Sequence, residues 1–261
     1  MAYWTLLKKE LWSIFVSPVA YAVLTACAFS ISAIFVYCFS AINQQNVTSI
    51  SVLQATATLP TFWILVMFQV PVMTMRTFAE EFKMGTMEML LTAPIREWEV
   101  VLAKYTASLI FYTLAWVPLA VNVFYLHVLT NPPVPFYVWP ATLTFLAIFL
   151  FGMFFVSVGI FTSVITRNQI VSAILAFVFI FVYFCIGLLS YLNLDPWKIA
   201  VFGFSFTLDV REIASYMSAL EHLTTFARGI FDTRPVVLYV SGTMLMLFLT
   251  QRALLARRLQ S

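Results

Sequence analysis

The chain has 261 residues, of which 62% are hydrophobic and only 10% charged, with a formal net charge of +3 and a mean hydropathy of +0.97. A soluble domain of this length needs far more polar side chains to cover its surface, so the composition excludes one and makes lipid the solvent for most of the chain. The slight basic excess acquires meaning only once the charges are placed along the sequence.

The first element is Met1–Val16. Tyr3, Trp4, Leu7, Leu11, Ile14 and Phe15 recur there at helical spacing, with Lys8, Lys9 and Glu10 on the other side. This pattern predicts an amphipathic helix lying in a membrane interface, with Trp4, Lys8, Lys9 and Trp12 as its interface residues. A frayed N-terminal extension is the plainer alternative. Ser17-Pro18 breaks the pattern before the first long apolar run, which is too long for the core of a signal peptide.

Six runs reach the roughly 20 apolar residues that a helix needs to cross a bilayer. They are Val19–Ile42, Leu59–Met75, Tyr105–Leu129, Trp139–Ile165, Gln169–Leu192 and Pro235–Gln251, and none contains Asp, Glu, Lys or Arg. With six spans the termini share a side. Lys8, Lys9, Arg76, Lys83, Arg96, Lys104, Arg167, Arg252, Arg257 and Arg258 all fall on that side, whereas Asn43–Thr58 and Thr130–Val138 hold no Lys or Arg. The excess of basic residues predicts both termini in the cytoplasm. Only Asn193–Arg234 departs from the rule, and its four basic residues are matched by Asp195, Asp209, Glu212, Glu221 and Asp232.

Within the spans, ionisable groups that would mark an ion or proton path are missing apart from His127, near the end of its span. Gln69 and Asn122 are candidates for lining a pathway or for packing between helices, and Pro71 and Pro118 for kinking their helices. Ala22, Ala26, Ser30 and Ala33 share a face of the first span, and Gly152, Gly159 and Ser163 lie near one face of the fourth. Both stripes suit close helix contacts, within the chain or across a dimer. Cys27, Cys38 and Cys185 sit in apolar runs without CxxC spacing and read as packing residues; no metal or nucleic-acid site is expected.

Between the second and third spans lies a charged island, residues 76–104, with nine charged residues from Arg76 to Lys104. Gly85 can end the extension of the second span, Thr86 can cap a new helix and Pro94 can stop it. Glu88 falls in the first turn of that helix, where its charge suits the helix dipole, and Met87, Leu90 and Leu91 supply an apolar face. A solvated connector is the alternative. The carboxylates have no accompanying His, Ser or Cys set that would suggest catalysis. No GxxxxGK[ST] stretch is present, so nucleotide chemistry would have to come from another chain.

The stretch Glu80-Glu81-x-x-x-Gly85-Thr86-x-Glu88-x-Leu90-Leu91-Thr92-Ala93-Pro94, with Lys104 further on, resembles the ABC-2 type permeases. A second stretch, Glu221-His222-Leu223-x-x-Phe226-Ala227-Arg228-Gly229-Ile230-x-Asp232, is similar to the GldF-type, gliding-motility-associated branch of that family. The resemblance covers nearly the whole chain. It implies a single all-α transmembrane domain, residues 1–261, in which 1–16 is the interface helix and 76–104 the cytoplasmic coupling loop. Gly85–Leu91 would be the coupling helix that docks on an ATPase subunit, and Glu80, Glu81, Gly85, Thr86, Met87, Glu88, Leu90, Leu91 and Pro94 its coupling residues. Residues 193–234 would form short re-entrant helices outside, carrying His222, Phe226, Arg228 and Asp232.

The resemblance further implies a bacterial inner-membrane export permease, itself no enzyme. Its partners would be an ABC ATPase dimer using ATP and Mg2+, membrane lipid, and a second permease, as a heterodimer or else a homodimer. The alternative is a mechanotransmission or scaffold subunit that moves no substrate. In residues 193–234, Ile213, Met217, Leu220, Leu223 and Phe226 are helically spaced, and Arg228 and Asp232, four apart, could pair on one helix face.

Overall fold

The structure is a computed structural model that describes residues 2–45, 52–86, 96–129, 137–192, 197–201, 204–208 and 210–258. Twelve α-helices are described: α1 Ala2–Val16, α2 Pro18–Gln45, α3 Val52–Thr58, α4 Pro60–Thr74, α5 Ala79–Met84, α6 Glu97–Ala115, α7 Val117–Leu129, α8 Val138–Ile165, α9 Gln169–Leu188, α10 Val210–Met217, α11 Ala219–Ala227 and α12 Thr233–Arg258. A two-stranded antiparallel hairpin interrupts the otherwise helical order, with β1 Trp197–Val201 and β2 Phe204–Leu208 paired from Trp197 opposite Leu208 to Val201 opposite Phe204. The alternation of Phe204, Phe206 and Leu208 has the two-residue period of a strand. The described part of residues 193–234 is therefore part hairpin and part helix.

Six helical stretches are long and apolar enough to cross a membrane: Pro18–Ile42, Pro60–Met84, Glu97–Val128, Val138–Ile165, Gln169–Tyr191 and Thr233–Arg257. They match the six expected runs in number and order. The second, third and sixth reach further into the charged sequence at one end of the bundle, called the basic end below. Two spans are broken, and each has a proline close to the break. Pro71 lies inside α4, whose last turn closes with the Met75 N–H on the Pro71 carbonyl; α4 stops at Thr74, and a turn separates it from α5. Pro118 similarly interrupts the ladder after Trp116, dividing the third span into α6 and α7.

Helix α8 is the central column, buried along most of its length, whereas the first and last spans present most of their residues outward. Its small residues let neighbours approach. A Cβ at Gly152 would fall 2.0 Å from Tyr112 Cε1, and one at Gly159 would fall 2.1 Å from Thr74 Oγ1. The stripe of the fourth span is thus used inside the chain, against α6 and α4. The stripe of the first span is not: Ala22, Ala26 and Ala33 are exposed, and Cys27, Ile31, Phe35 and Cys38 form the buried face of α2.

The core away from the basic end is aromatic. Trp63 stands 4.9 Å from Phe184 and 5.8 Å from Phe151, centroid to centroid, and Phe62 lies 5.3 Å from Trp116. Phe151 continues to Tyr239 at 4.9 Å, and Phe155 to Tyr183 at 5.5 Å. These rings knit the second to sixth spans together through contacts that are each worth roughly 0.5–1.5 kcal/mol beyond area burial.

Candidate functional site

At the basic end, α5 is gripped by side chains from three helices, α8, α6 and α12. Its first turn follows a break in the helix, where backbone N–H groups need acceptors. Ser163, from the last turn of α8, supplies one: its Oγ accepts from the N–H of Phe78 at 2.9 Å and of Ala79 at 3.0 Å. The same hydroxyl donates to the Met75 carbonyl at 3.4 Å, so a single side chain closes the turn between α4 and α5.

Lys104, two turns into α6, makes the second grip. Its Nζ lies 3.0 Å from Glu81 Oε1 on α5 and 3.1 Å from Glu10 Oε1 on α1, and the side chain is only 2% exposed. The ammonium also sits 5.2 Å from the centroid of the fully buried Phe78 ring. One cation thus ties α1, α5 and α6 together in a nearly dry setting, where a lone lysine would be prohibitive. The second oxygen of Glu81 is buried without a hydrogen-bond partner among the described residues.

Arg257, at the end of α12, completes the set. Its guanidinium covers the Phe82 ring of α5 at 4.6 Å and donates to the Ile165 carbonyl at the end of α8. Helix α5 then ends at Gly85, whose φ of +72° is the left-handed conformation that glycine adopts without strain. Thr86 turns its hydroxyl back to the Glu81 carbonyl at 3.4 Å. Met87, Glu88, Leu90, Leu91 and Pro94, the rest of the expected coupling helix, lie outside the described residues. Glu80 is half-buried on α5.

Helix α1 packs along α6, with the Tyr3 hydroxyl donating to Thr106 Oγ1 at 3.0 Å and Phe15 edge-on to Phe111. Glu10, expected on the polar face with Lys8 and Lys9, is turned inward to Lys104. Trp4, expected on the opposite face, is exposed alongside Lys8, Lys9 and Trp12. The reason is tertiary: Lys104 needs carboxylates more than water needs Glu10.

The other sequence candidates are scattered. Asn122 donates to Ser32 Oγ at 3.0 Å, joining α7 to α2. Gln69 is 4% exposed on α4, and neither amide atom has a partner among the described residues. Near the far end, His222 of α11 is buried, and its Nδ1 shares a hydrogen bond of 2.9 Å with the Tyr239 hydroxyl, which accepts from Tyr183 at 3.2 Å. Burial pushes the imidazole down from 6.5 to about 4, only partly offset by the charge of Asp232.

Phe226 is buried beneath α11. Arg228 and Asp232 do not share a helix, because α11 ends at Ala227 and Gly229 follows with φ +84°. Asp232 instead accepts from the Arg234 N–H at 2.9 Å, and the Gly229 carbonyl takes the Trp139 indole N–H at 2.9 Å. Sequence reasoning missed Glu10, Ser163 and Arg257. The signal for Glu10 was available, since an acid next to two lysines at an amphipathic boundary can serve either face.

Six membrane-length helices, a broken second span and a polar clasp at one end describe a multi-pass membrane protein. Residues 39–208 match the model of the ABC-2 family transporter protein, so the chain belongs to the ABC-2 transporter family. It is a transmembrane permease domain of an ABC transporter and is not itself catalytic. No curated protein matches the chain.

Proposed function

We propose that the chain is the membrane subunit of an ABC exporter, in which a partner ATPase dimer presses on the segment after Gly85 and spans 3, 4 and 6 receive the motion. The observation that carries this reading is the anchoring of α5. The helix immediately before that segment is bound to α8 through Ser163, to α6 and α1 through Lys104, and to α12 through Arg257. A displacement of α5 by a few ångströms cannot be absorbed locally. Ser163, Lys104 and Arg257 would carry it into the bundle, with Gly85 as the flexible joint on the partner side.

In this reading the basic end faces the cytoplasm, as the Lys and Arg distribution favours, and the membrane is the bacterial inner membrane. Glu80, Glu81, Gly85, Thr86, Met87, Glu88, Leu90, Leu91 and Pro94 form the docking segment, and α1 lies in the membrane interface. ATP and Mg2+ act in the partner. A second permease completes the unit, a heterodimer if the GldF-type resemblance is followed and a homodimer otherwise; the outward small-residue face of α2 suits either. Purification from native membranes, with identification of the ATPase and any second permease that accompany the chain, tests the partners. Glu88→Arg and Met87→Pro should abolish ATPase association without loss of membrane insertion, and co-purification with a fully stimulated ATPase would overturn the assignment.

The second reading, a mechanotransmission subunit that moves no substrate, is favoured by the aromatic packing of the spans. Reconstituted complexes separate the two: ATPase activity accompanied by export of a candidate substrate supports the first. Transport without any ATPase subunit would sink both.

A further inference from the structure

We infer that the outer face of α1 is a binding surface for anionic phospholipid headgroups in the leaflet at the basic end. The sequence Lys8-Lys9-Glu10 reads as nearly balanced, but the structure divides it. Glu10 is drawn inward to within 3.1 Å of Lys104 and is 14% exposed, while Lys8 and Lys9 remain on the outer face. Sequestering the acid leaves that face with two positive charges, and no carboxylate among the described residues forms an ion pair with either lysine.

Trp4 and Trp12 flank Lys8 one turn away on each side, and each is 72% exposed. A buried protein contact would normally cover such rings. The boundary between headgroups and hydrocarbon suits them, because the indole has an apolar body and a polar N–H. Position fits as well. Only Ser17 separates α1 from α2, the first membrane-length helix, and α1 packs on Thr106 and Phe111, inside the third. The face thus adjoins two of the membrane-length helices near the basic end, a position from which lysines would attract anionic lipid and their stems could reach the headgroups.

This inference rests on the reading of α1 as an interface helix, and the experiment separates the two. The full-length permease, purified in detergent with its partners, is titrated with phosphatidylglycerol and with phosphatidylcholine under native mass spectrometry. It is also reconstituted with brominated lipid for tryptophan quenching, read as wild type minus Trp4→Phe/Trp12→Phe. Phosphatidylglycerol should bind more tightly than phosphatidylcholine, and Lys8→Gln/Lys9→Gln should weaken it about fivefold per lysine removed while leaving the quenching of Trp4 and Trp12 in place. Quenching with no lipid preference and no effect of the lysines overturns the anionic site but keeps the interface helix. Absence of quenching at Trp4 and Trp12 overturns both. Loss of a co-purifying protein from the lysine variant, with phosphatidylglycerol binding unchanged, makes the face a protein contact and also overturns the proposal.

Discussion

Replacing Lys104 by Met removes the one cation shared by Glu10 and Glu81, and the structure sets the size of the effect. At about 3 Å and an effective dielectric near 20, each contact contributes roughly 5 kcal/mol of gross attraction. Desolvating three charged groups costs several kcal/mol each, so the intact cluster is close to balanced. Truncating the lysine is different, because it leaves two carboxylates, 14% and 16% exposed, facing each other without a counter-charge. Breaking a buried ion pair in this way costs about 3–5 kcal/mol, which for a chain of this length lowers the melting midpoint on the order of 10 °C. Glu10→Gln keeps the Glu81 contact and should cost only about 1–2 kcal/mol. The triple variant Glu10→Gln/Glu81→Gln/Lys104→Met removes the stranded charges and should recover much of the loss. Thermal unfolding of the purified permease in one detergent, with Lys8→Met as the exposed control, provides the assay. A Lys104→Met midpoint within about 2 °C of that control would refute the reasoning.

Ser163→Ala leaves the N–H groups of Phe78 and Ala79 without their acceptor and should destabilise by about 1–3 kcal/mol, read as a lower midpoint together with faster amide exchange at residues 78–79. Gly159→Val drives a branched side chain into Thr74, and Gly152→Val drives one into Tyr112; each should lower the midpoint by the equivalent of roughly 1–3 kcal/mol or more. His222 is protonated near 6.5 when unfolded but only near 4 when folded, so between those values the unfolded state binds more protons. Stability is full above about 6.5 and is lost as pH falls toward 4. Wild type should lose roughly 2–3 kcal/mol more than His222→Gln across that window, measured as the difference between their midpoint-against-pH curves.

The six spans were legible because lipid imposes one rule on every residue of a crossing helix, and uninterrupted apolar runs of about 20 residues satisfy it. The ends of the spans were less legible for the same reason. Reading each span up to its first charge put Lys104 at the aqueous boundary, since a lone lysine is costly inside. The structure buries it because Glu10 and Glu81 arrive from distant points of the chain. No local pattern encodes that meeting. Ser163 was visible as a small residue on a packing stripe, but its use as an acceptor depends on the break after Pro71, which exposes N–H groups across from it. The expected Arg228–Asp232 pairing failed on a local signal that was available: Gly229 between them can end a helix.

The interior of the bundle bears on what such motion can accomplish. Buried hydroxyls near the core turn back on their own helices: Thr144 donates to the Pro140 carbonyl, Thr162 to Gly159, Thr243 to Tyr239 and Thr250 to Met246. These hydroxyls spend their one donor within their own helix rather than between spans. Beyond them the rings of Phe62, Trp63, Phe151, Phe155 and Phe184 close the space between spans. Opening a polar route through one chain would mean separating these rings and exposing Gln69. On the coupling proposed above, a bundle moved as a body by α5 would instead change its outer surface relative to a neighbour, and a substrate route would then run along the outside of this chain, with the clasp at Lys104 moving the bundle as a unit.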